Sequence, residues 1–185
     1  MVSSREVLHS SASNEWYTPV VYTEAARKVM GSIDLDPASC DEANKLVKAT
    51  KIFTKEDDGL NRKWWGNVWM NPPYGRGGQD KWTSKIVKEY EDGNISQAVI
   101  LVNAATDTLW FQRLWPYNIC FVKRRIKFVS LDGAPKHSPT HGNVLVYLGR
   151  REESISRFRN EFKRFGPIVH STILDSHSGE KNESE

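Results

Sequence analysis

A short apolar run, Val68-Trp69-Met70, stops abruptly at Asn71-Pro72-Pro73-Tyr74 and is followed by Gly75-Arg76-Gly77-Gly78. Two successive prolines forbid continuation as a helix or central strand, because each fixes φ and lacks an N–H. Each also drives its predecessor to extended geometry. The segment therefore reads as a buried strand ending in a stiff turn. The Asn71 side chain and neighbouring carbonyls are held out as fixed hydrogen-bond acceptors, with the Tyr74 ring close behind. Such acceptors suit a planar substrate nitrogen that carries N–H groups. An ordinary strand-ending turn has the same composition, so the rest of the chain decides between the two.

Around this turn, strand and helix signals alternate. Residues 19–30 read as a helix, with Thr18 as N-cap, Pro19 at the first helical position and Gly31 at the end. Strands are expected at 33–36, 51–53 and 68–70, and helices at 41–49, 80–90 and 108–114. Residues 98–102 are almost wholly apolar, as in a central parallel strand covered on both faces. Three further strand candidates lie at 119–122, 126–129 and 144–148. Ile155, Phe158, Phe162 and Phe165 form the core stripe of a C-terminal helix. The pattern predicts an α/β fold: a mostly parallel sheet, an antiparallel strand near its C-terminal end, and helices on both faces. One domain is expected over 14–170, after a flexible lead at 1–13 and before a polar, disordered tail at 171–185.

Charge and cysteines narrow the field further. A net charge of +3 and a pI near 8.8 mildly permit a polyanionic partner. The basic residues are unevenly spread: Lys123, Arg124, Arg125 and Lys127 cluster, and a second basic group runs through 150–164. Cys40 and Cys120 lack metal-ligand spacing, so no metal is expected. Neither follows a proline, which excludes a Pro-Cys nucleophile. No apolar run approaches the roughly 20 residues of a membrane span, and residues 1–13 lack a signal-type apolar core. The expected location is the cytoplasm.

In an open α/β sheet, ligands bind outside the carboxyl ends of the strands. Three suggestive segments occupy such ends: Asp36-Pro37-Ala38-Ser39, Asn71 to Tyr74, and the stretch from Asn103 to Thr108. They can converge in space while lying far apart in sequence.

The ordered set is more specific than any one member. Trp16-Tyr17-Thr18-Pro19, Asp34-Leu35-Asp36-Pro37-Ala38-Ser39, Asp58-Gly59-Leu60, Trp65-Gly66-Asn67, Asn71-Pro72-Pro73-Tyr74-Gly75, Asp107-Thr108-Leu109-Trp110-Phe111 and Arg125-Ile126-Lys127-Phe128 occur in that order. Together they resemble the small phage and prophage Dam-like DNA N-6-adenine methyltransferases, over residues 14–149. These are S-adenosylmethionine-dependent amino-methyltransferases. The resemblance implies a Rossmann-like class I sheet, S-adenosylmethionine as cofactor and double-stranded DNA as partner. The sequence leaves the oligomeric state open, with a monomer favoured, and the expected location is the cytoplasm of a bacterial host.

Carried over residue by residue, the resemblance makes Asn71-Pro72-Pro73-Tyr74 the catalytic turn. Asn71 and the Pro72 carbonyl would accept from the adenine amino group, and Tyr74 would stack on the flipped base. Tyr17, Thr18 and Pro19 would form a cofactor segment ahead of the first strand. Asp36 would hold the cofactor's ammonium side, with Pro37 after it and Ala38 and Ser39 leaving the cofactor room, and either Asp57 or Asp58 would contact its ribose or adenine. Arg76, Lys123, Arg124, Arg125, Lys127, His137 and His141 would meet DNA, with loops 76–80, 104–110 and 130–142 reading a short site. One departure stands out: no Gly-x-Gly follows Asp36-Pro37. The same turn also serves methylation of cytosine amino groups, RNA adenine or a glutamine amide. The degenerate cofactor loop leaves room for an inactive nucleic-acid-binding module as well.

Overall fold

The computed structural model describes residues 17–74, 78–129 and 141–170. The expectations for the lead, the tail, Arg76 and His137 lie outside the described residues.

Seven strands form one sheet in the order β2-β1-β3-β4-β6-β5-β7. They are β1 (Leu35–Asp36), β2 (Lys51–Ile52), β3 (Gly66–Met70), β4 (Ile95–Asn103), β5 (Asn118–Phe121), β6 (Asn143–Leu148) and β7 (Ile168–Val169). The first four run parallel, whereas β6 is antiparallel to both β4 and β5, and β7 is antiparallel to β5. The fold is mixed α/β, parallel in its first half and antiparallel at its end.

Period-two burial sorts the strand side chains into two cores. On one face Val68, Met70, Ala98, Ile100 and Val102 pack with Trp82, Ile86 and Tyr90 of α3 (Gly78–Glu91) and Phe111 of α4 (Leu109–Gln112). On the other, Trp69, Val99, Leu101 and Leu145 meet three helices. These are α1 (Val20–Met30), α2 (Asp41–Val47) and α5 (Glu152–Phe162). Phe158 and Phe162 of α5 are fully buried there, as the sequence stripe anticipates. Helices thus cover both faces.

Several local expectations are corrected. Helix α1 begins at Val20 rather than Pro19, and Pro19 occupies the capping position with no side-chain cap bond. Thr18 does not cap the helix; its hydroxyl serves a tertiary partner instead. Residues 126–129 are not a sheet strand, although Ile126 and Phe128 are buried on alternate positions. They lack a neighbouring strand, and only Val129 pairs, in an isolated antiparallel bridge with Tyr17. The helix expected over 108–114 shortens to Leu109–Gln112, capped by the Thr108 hydroxyl. Strand β7 is an addition that two residues were too few to signal.

Two glycines fix how the edges of β1 are built. Gly66 has φ +65°, and a Cβ there would lie 2.4 Å from Asp34 Oδ2. Gly59 lets the turn after β2 close on β1, since a Cβ would stand 2.0 Å from the Pro37 carbonyl oxygen.

Candidate active site

The parallel strands β1, β3 and β4 end on one edge of the sheet, and β6 begins there. Asp36, Asn71 and Asn103 stand at or next to those ends. Gln79, buried at the start of α3, accepts from the Asn103 N–H at 3.0 Å and so ties α3 to this edge.

Asn71 is held by two partners. Its Nδ2 donates to Thr18 Oγ1 at 3.1 Å, and its Oδ1 accepts from the Tyr74 hydroxyl at 2.8 Å. The first contact spans 53 residues and orients the amide, so its oxygen faces Tyr74. Thr18 is in turn positioned by its neighbour. Tyr17 and Val129 exchange backbone bonds of 3.1 and 3.0 Å, which lays segment 126–129 alongside the site. Phe128 then meets Tyr74 edge-on, with ring centroids 6.2 Å apart. The Tyr74 residue is 40% exposed, yet desolvation raises its phenol above the ordinary value. It is a proton donor at neutral pH.

A cavity of about 690 Å³ opens beside this amide. That volume lies inside the roughly 300–1,000 Å³ typical of small-molecule sites. Tyr17, Thr18, Asp36, Ala38, Trp69 and Asn71 to Tyr74 line it, as do Ser39, Thr54, Lys55 and Glu56. Asp36 is 3% exposed, and burial pushes its carboxyl up to about 7, with the Ala38 N–H and the nearby Ser39 hydroxyl opposing. The Ala38 N–H reaches Asp36 Oδ1 at 3.2 Å. Ser39 Oγ and Trp69 Nε1 are shielded from solvent beside the cavity. Neither makes a hydrogen bond of ordinary geometry, although the Ser39 hydroxyl lies near enough to Asp36 to favour its charged form.

Some sequence-predicted residues stand elsewhere. Pro19 does not line the cavity, and Pro37 and Asp58 line a smaller neighbouring one of about 270 Å³. The Asp58 carboxylate accepts from Asn61 at 2.6 Å and Asp57 from the Thr54 N–H at 2.9 Å, so both serve the local turn. Glu56 is the acidic residue of that segment on the large cavity. Sequence reasoning missed Glu56 and Trp69, whereas Ser39 belongs to the segment it singled out; the alternation Val68-Trp69-Met70 was the available signal for Trp69. Lys123, Arg124, Arg125 and Lys127 are exposed after β5, whose end shares the edge of Asn71. His141 lies exposed just before β6, on the same edge. Among the described residues, no cluster of three or more His, Cys, Asp or Glu could hold a metal. Nor is any described helix long and apolar enough to cross a membrane.

The family model described as DNA N-6-adenine-methyltransferase (Dam) matches residues 6–164. The chain belongs to this family. Among curated proteins, no match reaches significance. For this Dam-family chain, the matched stretch holds every described residue on the cavity wall.

Proposed function

We propose that this Dam-family chain transfers a methyl group from S-adenosylmethionine to the exocyclic amino group of adenine in double-stranded DNA. The observation that carries the reading is the Asn71 amide, oriented by Thr18 and opening on a cavity that also holds a buried carboxylate. The strand order, with its antiparallel β6 between β4 and β5, supports a Rossmann-like class I methyltransferase sheet.

The lining residues fit the cofactor. Asp36 would take its ammonium, Glu56 stands where a hydroxyl-bearing group could be held, and Ala38 is small enough to replace the missing glycine pattern. When bound, S-adenosylmethionine supplies an electrophilic methyl on a positively charged sulfur.

The chain's own residues do the rest. Adenine's amino nitrogen is a poor nucleophile because its lone pair is delocalised into the ring. Asn71 Oδ1 and the Pro72 carbonyl would accept its two N–H bonds, pull the nitrogen towards tetrahedral geometry and localise that pair. A carbonyl oxygen has two lone pairs, so Oδ1 can receive the amine while Tyr74 still donates to it. Because Thr18 fixes the amide beforehand, little reorganisation is needed in the transition state, and aligned placement lowers the barrier further. The base reaches this cavity by flipping out of the duplex, and the Tyr74 ring would stack on it. Lys123, Arg124, Arg125, Lys127 and His141 would meet DNA on the same edge.

The test is methyl transfer from labelled S-adenosylmethionine to duplex DNA, RNA and protein in parallel. Label in DNA alone is expected. Label confined to RNA or protein would redirect the substrate assignment. Cofactor binding without transfer to anything would favour an inactive binding module.

A further inference from the structure

Two cavities of this chain carry opposite charge. Asp36, Asp41, Glu42 and Glu56 line the catalytic one, with Lys55 as the cation among its described residues. A second, of about 560 Å³, is a groove between α5 and β7. Lys123, Arg159, Lys163 and His170 line it, and among the described residues no carboxylate does. His170 is neutral at pH 7, because partial burial and the Arg159 guanidinium hold it below the ordinary imidazole value, with Glu152 opposing.

Helix α5 answers most of its own charges. Arg157 pairs with Glu153 at 3.1 Å, and Arg159 lies 3.6 Å from Glu152. Glu161 lies 3.7 Å from Lys28 and 3.9 Å from Arg164. Lys163 and Lys123 are exposed, and neither pairs with a carboxylate among the described residues. A cation near a helix C-terminus favours the helix dipole, which accounts for Lys163 alone. It does not account for Lys123, which a different segment brings to the same groove.

The groove adjoins the catalytic edge. The Lys123 N–H donates to the Phe165 carbonyl and the Phe121 N–H to the Pro167 carbonyl, both at 2.9 Å, so the turn after α5 is bonded to the end of β5. From Lys123 the chain runs through Arg124, Arg125 and Lys127 to Val129, which pairs with Tyr17 beside the catalytic amide. Strand β7 is the fourth beyond β3 in the sheet, a distance of about 19 Å. That equals roughly six base pairs of duplex. One duplex can therefore reach both the catalytic turn and the groove.

We propose that the groove between α5 and β7 is a second phosphate-contacting surface for duplex DNA, with Lys163 and Lys123 meeting the backbone about half a turn beyond the flipped base. This rests on the DNA reading above and extends its contact surface onto α5. Contacts of this kind position the duplex and read no sequence.

The salt dependence of binding tests it, measured with the full chain on a duplex of about two turns. Each phosphate neutralised adds about 0.9 to the slope of log K against log salt. Lys163→Gln should lower that slope by about 1, so that raising salt from about 50 to about 200 mM costs about threefold less affinity than in the parent. Lys163→Gln combined with Lys123→Gln should lower it by about 2. Arg151→Gln removes the same charge at the start of α5, by the opposite edge of the sheet, and should leave the slope unchanged. An unchanged slope in Lys163→Gln overturns the proposal. So does an equal fall in Arg151→Gln, which would mean that net charge alone decides. Either result, with the parent still binding DNA, sinks this inference alone. A parent that binds no duplex DNA sinks the DNA reading with it.

Discussion

Asp34 and Asp36 lie two residues apart on one extended segment, yet their surroundings are opposite. Asp34 accepts from the Ser32 hydroxyl and the Asn67 N–H, both at 2.8 Å. It belongs to a closed network in which Asn67 donates to Met30 and Ser32, Gln97 donates to Asn67 and Met30, and Tyr147 donates to Gln97. Asp36 is buried, accepts from one backbone N–H at 3.2 Å with the Ser39 hydroxyl nearby, and otherwise faces a cavity. The Asp34 network bonds its own members together, whereas Asp36 at the other end of the strands has a single ordinary hydrogen bond. A sheet edge whose polar groups are bonded among themselves serves stability. One that keeps a desolvated carboxyl beside a cavity is prepared for a ligand.

The largest effect should come from the open edge. Asn71→Ala should lower kcat for methyl transfer by about 10²–10³-fold, the loss typical of one preorganised polar group, with cofactor affinity little changed. A drop in cofactor affinity matching the drop in rate would make Asn71 a binding residue instead. Asp36→Asn separates the two edges by pH. Burial raises the folded ionisation of Asp36 from 3.8 to about 7, so the folded chain holds that proton more tightly than the unfolded one. Its contribution is fully present below pH 3.8 and is lost as pH rises towards 7. The thermal-stability advantage of Asp36→Asn over the ligand-free parent should therefore grow across that window and level off above it. A constant gap would show that Asp36 is solvated.

Asp34→Ala, at the satisfied edge, should cost about 1 kcal/mol in denaturant unfolding by stranding its half-buried donors Ser32 and Asn67, while leaving cofactor affinity unchanged. Loss of affinity instead of stability would reverse the assignment of the two aspartates. Replacing Lys123 and Lys127 together by Ala should reduce the salt-dependence slope of DNA binding by about 2, near one per phosphate contact. An unchanged slope moves the DNA footprint elsewhere. Smallest of all, Tyr74→Phe should keep kcat within about threefold, because stacking resides in the ring. A much larger loss would mean that the hydroxyl positions Asn71.

Much of this contrast was legible in the chain itself. The all-apolar run at 98–102 and the stripe through Phe158 and Phe162 gave β4 and α5, because periodic burial is a local signal. Asn71 announced itself through the two prolines behind it. Thr18 was misread because its position favours a helix cap, while a partner 53 residues away won its hydroxyl. Segment 126–129 has the alternation of a strand, but pairing depends on a neighbour that only the fold supplies. The shielding of Ser39 and Trp69, and the turn duties of Asp57 and Asp58, exist only once distant segments meet.

The most direct measurement is nucleoside-resolved analysis of DNA from a methylation-deficient bacterial host expressing this chain. N6-methyladenine confined to one short sequence context, and absent with Asn71→Ala, is the predicted result. Methylated cytosine in its place, or DNA without any new methylated base while the purified chain binds S-adenosylmethionine, would contradict the account.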